Sequence, residues 1–142
     1  MNYYLAKSNP NTFRLRDYLA SLPALPTESR WTVCKDAKPG DTLVIGLSGK
    51  EAGIYAAATI TSLPTFGGED PDFWVSPEEA AKPRWRADIK FFQNLIQCPI
   101  PEQNLMASPE LKRVAKWLHL QGAACYLTEE EARALNKLIE AS

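Results

Sequence analysis

The apolar positions of the chain fall into short runs with two different periods. "NYYLAKS" at 2–8 is an aromatic and apolar run that predicts a first strand. In "NTFRLRDYLASL", Leu15, Tyr18, Leu19 and Leu22 recur at helical spacing, Asn11 or Thr12 stands where a cap belongs, and "PALP" ends the helix. "RWTVC" predicts a second strand, and "KPGD" turns the chain into "TLVIGL", a continuous apolar run typical of a strand buried on both faces. "LSGKEAG" reads as a hairpin loop into "IYAAATITSLP". Alternation there puts Ile54, Ala56, Ala58 and Ile60 on one face and Tyr55, Ala57, Thr59 and Thr61 on the other, and the small residues ask for a closely packed neighbour.

The second half carries two Ser-Pro helix starts. In "SPEEAAK", Ser76 caps, Pro77 takes the first helical position and Glu79 completes a capping box. "SPELKRVAKWL" repeats the signal, with Leu111, Val114, Ala115 and Leu118 as its stripe. Between them "RWRADIKFF" alternates, with Trp85, Ala87, Ile89 and Phe91 toward the core and Arg86, Asp88 and Lys90 outward. "AACYL" predicts a last strand, and Thr128 with Glu131 boxes the start of a terminal helix. With no repeat or linker, the pattern predicts one α+β domain over 1–142, a small curved β-barrel or strongly curved mixed sheet of five or six strands flanked by helices.

One stretch breaks the rule that aromatics mark the core. "DPDFWVSP" at 70–77 places Phe73 and Trp74 among turn formers, two residues ahead of a helix start. Of the four Trp, Trp85 reads as core and Trp117 lies beside a helix stripe, whereas Trp31 opens a short strand and Trp74 lies in a loop. Two such rings either plug the ends of the sheet or wall a slot for a flat π-system.

Charge adds a second clue. The net charge of −1 hides +3 over residues 1–50, −6 over 51–80, +4 over 81–120 and −2 over 121–142. The basic stretches allow a phosphate-binding face on a near-neutral protein; a mixed, solvated surface is the alternative. No apolar run is long enough for a membrane helix and the start lacks the regions of a signal peptide, which predicts a cytoplasmic protein. Cys34, Cys98 and Cys125 are odd in number and far apart, and His119 is alone, so buried free thiols are expected and neither a metal site nor a cofactor. The chain holds no G-x-S-x-G, H-E-x-x-H, Walker loop or G-x-G-x-x-G, so no enzyme activity is expected.

Taken in order, "YYLAKSNP", "RWTV", "KPGDTLVIGLSGKEAGIYAAATITSLP", "DFWVSP", "RADIKFFQNLIQCPI" and "LTEEEARAL" resemble the EVE domains of the PUA-like superfamily and, more distantly, the YTH domains. That resemblance implies a reader that flips a modified base into an aromatic cage: 5-methylcytosine or a related cytosine in DNA by the EVE likeness, N6-methyladenine in DNA or RNA by the YTH likeness. A PUA-like protein-interaction module is the rival outside that class. EVE domains occur alone or fused to nuclease and AAA+ modules of modification-dependent restriction systems, which implies such partners in the same chain or in trans. By the same resemblance Trp31 and Trp74 are the cage walls, Ser8, Asn9 and Thr32 face the base edge, and Lys7 and Lys50 lie near phosphates. Val33, Leu47, Phe66 and Phe73 are candidates for a third wall; Arg84, Arg86 and Lys90 are further basic candidates on the outward face of an edge strand.

Overall fold

The continuous apolar run at 42–47 organises the sheet. It forms a strand buried along its whole length, between a parallel neighbour and an antiparallel one. A computed structural model describes residues 1–68, 72–120, 122 and 124–141. In chain order the strands are β1 (Tyr3–Ser8), β2 (Thr27–Thr32), β3 (Thr42–Leu47), β4 (Gly53–Ile60), β5 (Thr65–Gly67), β6 (Arg84–Asn94), β7 (Ile100–Pro101) and β8 (Ala124–Leu127). The helices are α1 (Leu15–Ser21), α2 (Pro77–Ala81), α3 (Glu102–Ala107), α4 (Lys112–Trp117), led by a 3-10 turn at Pro109–Leu111, and α5 (Glu129–Glu140).

The sheet runs β2-β6-β4-β3-β1-β8, with β5 added to β6 and β7 to β4. Among the described residues it is thus an eight-stranded mixed sheet; β2 and β8 end the path, so it stays open where a small barrel was expected. The two extra strands are only three and two residues long and lie in Pro- and Gly-rich stretches that read as turns. Strand β6 is interior to the sheet rather than an edge.

Each face has its own core. One gathers Leu15 and Leu19 of α1 with Phe13, Trp31, Ile45, Ile89 and Phe91; the other packs Leu105, Leu111, Val114, Leu118, Leu135 and Ile139 of the later helices against Leu5, Val44 and Ile54. The alternation expected of β4 is interrupted. Ala56 pairs with Ile45 but Ile54 with Gly46, leaving Tyr55 as an extra residue. This bulge sends Ile54 to the helix-covered face while Ala56, Ala58 and Ile60 stay opposite. The small residues of β4 answer to close neighbours: a Cβ on Gly53 would sit 2.2 Å from the Ile100 carbonyl oxygen of β7.

Of the caps, Thr128 and Glu131 form the reciprocal box at α5, and Arg113 donates to the Glu131 carboxylate across the helices. Ser76 accepts from the Glu79 N–H as expected, but the Glu79 side chain turns to Lys82 and Arg84 instead of closing a box. Neither Asn11 nor Thr12 caps α1, whose first helical residue is Leu15; Asn9 organises the preceding turn through Oδ1 to the Asn11 N–H at 2.9 Å. No helix among the described residues is long and apolar enough to cross a membrane.

Candidate nucleic-acid interface

At one end of the sheet the last residues of β1, strand β2, the 72–74 segment, the start of β6 and the turn after α4 enclose a cavity of about 680 Å³. The position of Trp74 explains the aromatic loop. Phe13 and Trp74 form an isolated antiparallel bridge, the Val75 N–H donates to the Thr12 carbonyl at 2.9 Å, and the Arg14 N–H to the Phe73 carbonyl at 2.7 Å. The loop is thereby sewn to the segment between β1 and α1. Phe73 takes a positive φ of 64°, a conformation costly for a bulky side chain and paid where surrounding contacts over-determine it. Residues 69–71, which include the first two of the aromatic stretch, lie outside the described residues.

The walls are aromatic. Phe13 sits edge-on to both Trp31 and Trp74, at centroid distances of 5.2 and 5.0 Å, so the two Trp rings belong to one cluster joined through Phe13. Tyr18 packs on Trp31 at 5.6 Å and on Phe73 at 5.3 Å. Trp31 keeps 9% of its surface exposed, whereas Trp74 is half-buried. The Arg84 guanidinium lies 4.6 Å from the Trp74 ring centroid and that of Arg86 5.7 Å, both within cation–π range.

The cavity is electropositive. Lys7, Arg30, Arg84 and Arg86 line it against Asp72 and Glu79. The Glu79 carboxyl is held below its usual range chiefly by the hydrogen bond from Lys82, with burial opposing and the Lys82 and Arg84 charges assisting. The Arg86 side chain does not point to solvent as the strand alternation predicts: it is 1% exposed, and its Nε donates to the Gly67 carbonyl at 3.2 Å. Gly67, the last residue of β5, meets the Arg86 guanidinium through its carbonyl, a contact that a strand pattern cannot reveal. Trp85 differs in the opposite sense. It is 39% exposed and packs edge-on to exposed Phe66, because β4 ends at Ile60 and only short β5 covers that stretch of β6.

Nine of the residues singled out in the sequence line this cavity: Lys7, Ser8, Asn9, Trp31, Thr32, Phe73, Trp74, Arg84 and Arg86. Val33 and Leu47 are instead buried in the core, with the Val33 N–H bound to the Trp85 carbonyl at 2.9 Å. Lys50 lies in a second cavity at the β3–β4 turn. The Lys7 ammonium, pushed down in pKa by burial, donates to the carbonyls of Trp117, at 3.0 Å, and Leu120. The Ser8 side chain is 6% exposed, and its Oγ has no hydrogen-bond partner among the described residues. A buried hydroxyl left so costs about 1–3 kcal/mol.

Sequence reading missed Phe13, Tyr18, Arg30 and Leu120 in this lining. Tyr18 was legible only as part of a helix stripe, and Phe13 carried no signal beyond its place beside Asn9. Cys34 and Cys125 are half-buried and Cys98 exposed, so not all three thiols are core. No three His, Cys, Asp or Glu side chains among the described residues gather as metal ligands would.

Solved structures share this fold along nearly the whole chain. A hypothetical protein from Leishmania major superposes with a TM-score of 0.68 at 19% identity, covering 99% of this chain and 96% of its own. Human THYN1, solved in complex with 5-methylcytosine-containing DNA, gives 0.65 at 19% identity over 99% of this chain and 98% of its own. ASCH from Zymomonas mobilis gives 0.58 at 10% identity over 96% and 95%. No curated protein matches the sequence. The family model of the EVE domain matches residues 2–138, and the chain belongs to that family.

Proposed function

We propose that this domain is a non-enzymatic reader of a modified nucleobase in DNA, with 5-methylcytosine the favoured base, taken out of the stack into the cavity between Trp31 and Trp74. The observation that carries the reading is the pairing of aromatic walls with a buried hydroxyl that has no partner among the described residues, in one electropositive cavity. A flipped base offers a π-face to the rings and an edge to Ser8 Oγ, which can donate or accept. Stacking is worth about 1–3 kcal/mol per base, enough with those hydrogen bonds to offset the few kcal/mol of extrusion. Asn9 Oδ1 is committed to its own turn, so Nδ2 is the part of that amide left for the base edge. Thr32 lies beside Trp31 on the same lining.

The bound DNA of human THYN1 supports a cytosine over an adenine as the base. Burying a single methyl group supplies on the order of 0.8 kcal/mol, so discrimination beyond a few-fold requires that the unmodified base leave a gap or a trapped water. Nuclease or AAA+ modules are the partners in keeping with such a reader. The test is a competition titration of matched duplexes carrying 5-methylcytosine, N6-methyladenine or neither. Tightest binding of the 5-methylcytosine duplex is expected. Preference for methyladenine would change the base and keep the cage; equal, weak binding of all three would remove the modified-base reading.

A further inference from the structure

We propose that Leu120 is the residue that enters the DNA stack and fills the gap a flipped base leaves. It rests on the base-reading function proposed above and names the form of nucleic acid the site takes: a duplex rather than a single strand. Leu120 lines the cavity yet is 51% exposed, while Leu118, two residues earlier, is fully buried. A lone exposed leucine is ordinary on a protein surface. This one stands at the mouth of a basic, aromatic cavity, on a backbone fixed from several sides.

The support is specific. The Leu120 N–H donates to the Trp117 carbonyl at 3.0 Å and the His119 N–H to that of Lys116 at 3.1 Å, closing a tight turn at the end of α4. The Lys7 ammonium reaches across from β1 to the Trp117 and Leu120 carbonyls and lies 4.4 Å from the Trp117 ring centroid. There a cation satisfies carbonyls that the helix end leaves open. The His119 ring bonds the Glu102 carboxylate of α3. Lys7 thus acts as a positioning residue for the turn, and the side chain it holds outward is apolar. Duplex-deforming proteins insert such apolar wedges between base steps. A wedge held rigidly in advance loses little freedom on insertion.

The wedge has a signature that a cage wall lacks: it matters only where a stack must be opened. Leu120→Ala and Leu120→Met are compared with the unaltered protein on a duplex and on the same single strand, each carrying one 5-methylcytosine, with 2-aminopurine beside the modified base in the duplex. Leu120→Ala is expected to weaken duplex binding about tenfold or more while changing single-strand binding by less than about twofold. It should also lower the 2-aminopurine fluorescence gained on binding, and Leu120→Met should restore both. Equal losses on duplex and single strand would make Leu120 a wall of the cage and overturn the proposal, as would no loss on the duplex. Failure of the unaltered protein to bind either DNA would remove the base-reading function and the wedge with it.

Discussion

Two cavities among the described residues differ in what they offer a base. The smaller, of about 480 Å³, lies at the β3–β4 turn and is lined by Arg16, Lys50, Glu51, Tyr55 and residues around β7 and α3. Glu51 ties two of its polar groups: Arg16 pairs with the Glu51 carboxylate, and the Tyr55 hydroxyl donates to the Glu51 carbonyl at 2.8 Å. The larger is lined by Trp31, Trp74 and Phe73 and holds a buried hydroxyl with no partner among the described residues. Both contain basic side chains, so charge alone does not distinguish them. What distinguishes the larger is its aromatic lining beside a buried hydroxyl that has no partner among the described residues.

The largest expected effects come from the two Trp, and they should differ. Trp31 is packed on Phe13 and Tyr18 and nearly buried, so Trp31→Ala should cost about 3–5 kcal/mol of stability as well as ligand affinity. Trp74 is half-buried in a loop, so Trp74→Ala should leave the far-UV signal and most of the stability intact and weaken DNA binding by about 1–3 kcal/mol. Tyr55→Phe in the smaller cavity should leave affinity unchanged. Denaturant melts and anisotropy titrations read the two quantities separately. A Trp74→Ala variant with normal affinity would erase the contrast between the cavities.

Ser8→Ala gives a smaller effect of split sign. Removing a buried hydroxyl that has no partner among the described residues should raise the stability of the free protein by about 1 kcal/mol, while the lost contact to the base should lower affinity by a similar amount. A hydroxyl serving only the fold would give a loss of stability in the melt and an unchanged titration. The smallest effect is on salt dependence. Lys50 stands at the tip of the β3–β4 turn, where Gly49 lies against Pro10 beside Asn9 of the larger cavity, so a duplex seated there is expected to run over it. Lys50→Ala should make the slope of log affinity against log salt shallower by about one, with little change in base preference. An unchanged slope would confine the interface to the larger cavity.

The sequence made most of the secondary structure legible, because it rests on local signals: β3 by its apolar run, α5 by its Thr128–Glu131 box, α2 by Ser76 and Pro77. It left hidden whatever depends on distant partners. The bulge at Tyr55 reverses one face of β4 and has no marker in an alternating run. Arg86 looks solvent-facing in an alternating run, yet it is buried with its Nε on the Gly67 carbonyl of β5, and Trp85 looks buried until β4 stops short. In the cavity, Trp31 and Trp74 were visible as aromatics out of place. Phe13, which joins them, stood off the apolar stripe of the predicted helix and entered the site through the bridge that ties the 72–75 segment to the stretch between β1 and α1.

The indole N–H signals of the four Trp test the central claim most directly. In a two-dimensional NMR titration with a duplex containing one 5-methylcytosine, the signals of Trp31 and Trp74 should shift together and saturate at one equivalent, while that of Trp85, exposed beside Phe66 and outside the cavity lining, should stay in place. Movement of Trp85 with Trp31 and Trp74 unmoved would place binding elsewhere on the domain and contradict the account.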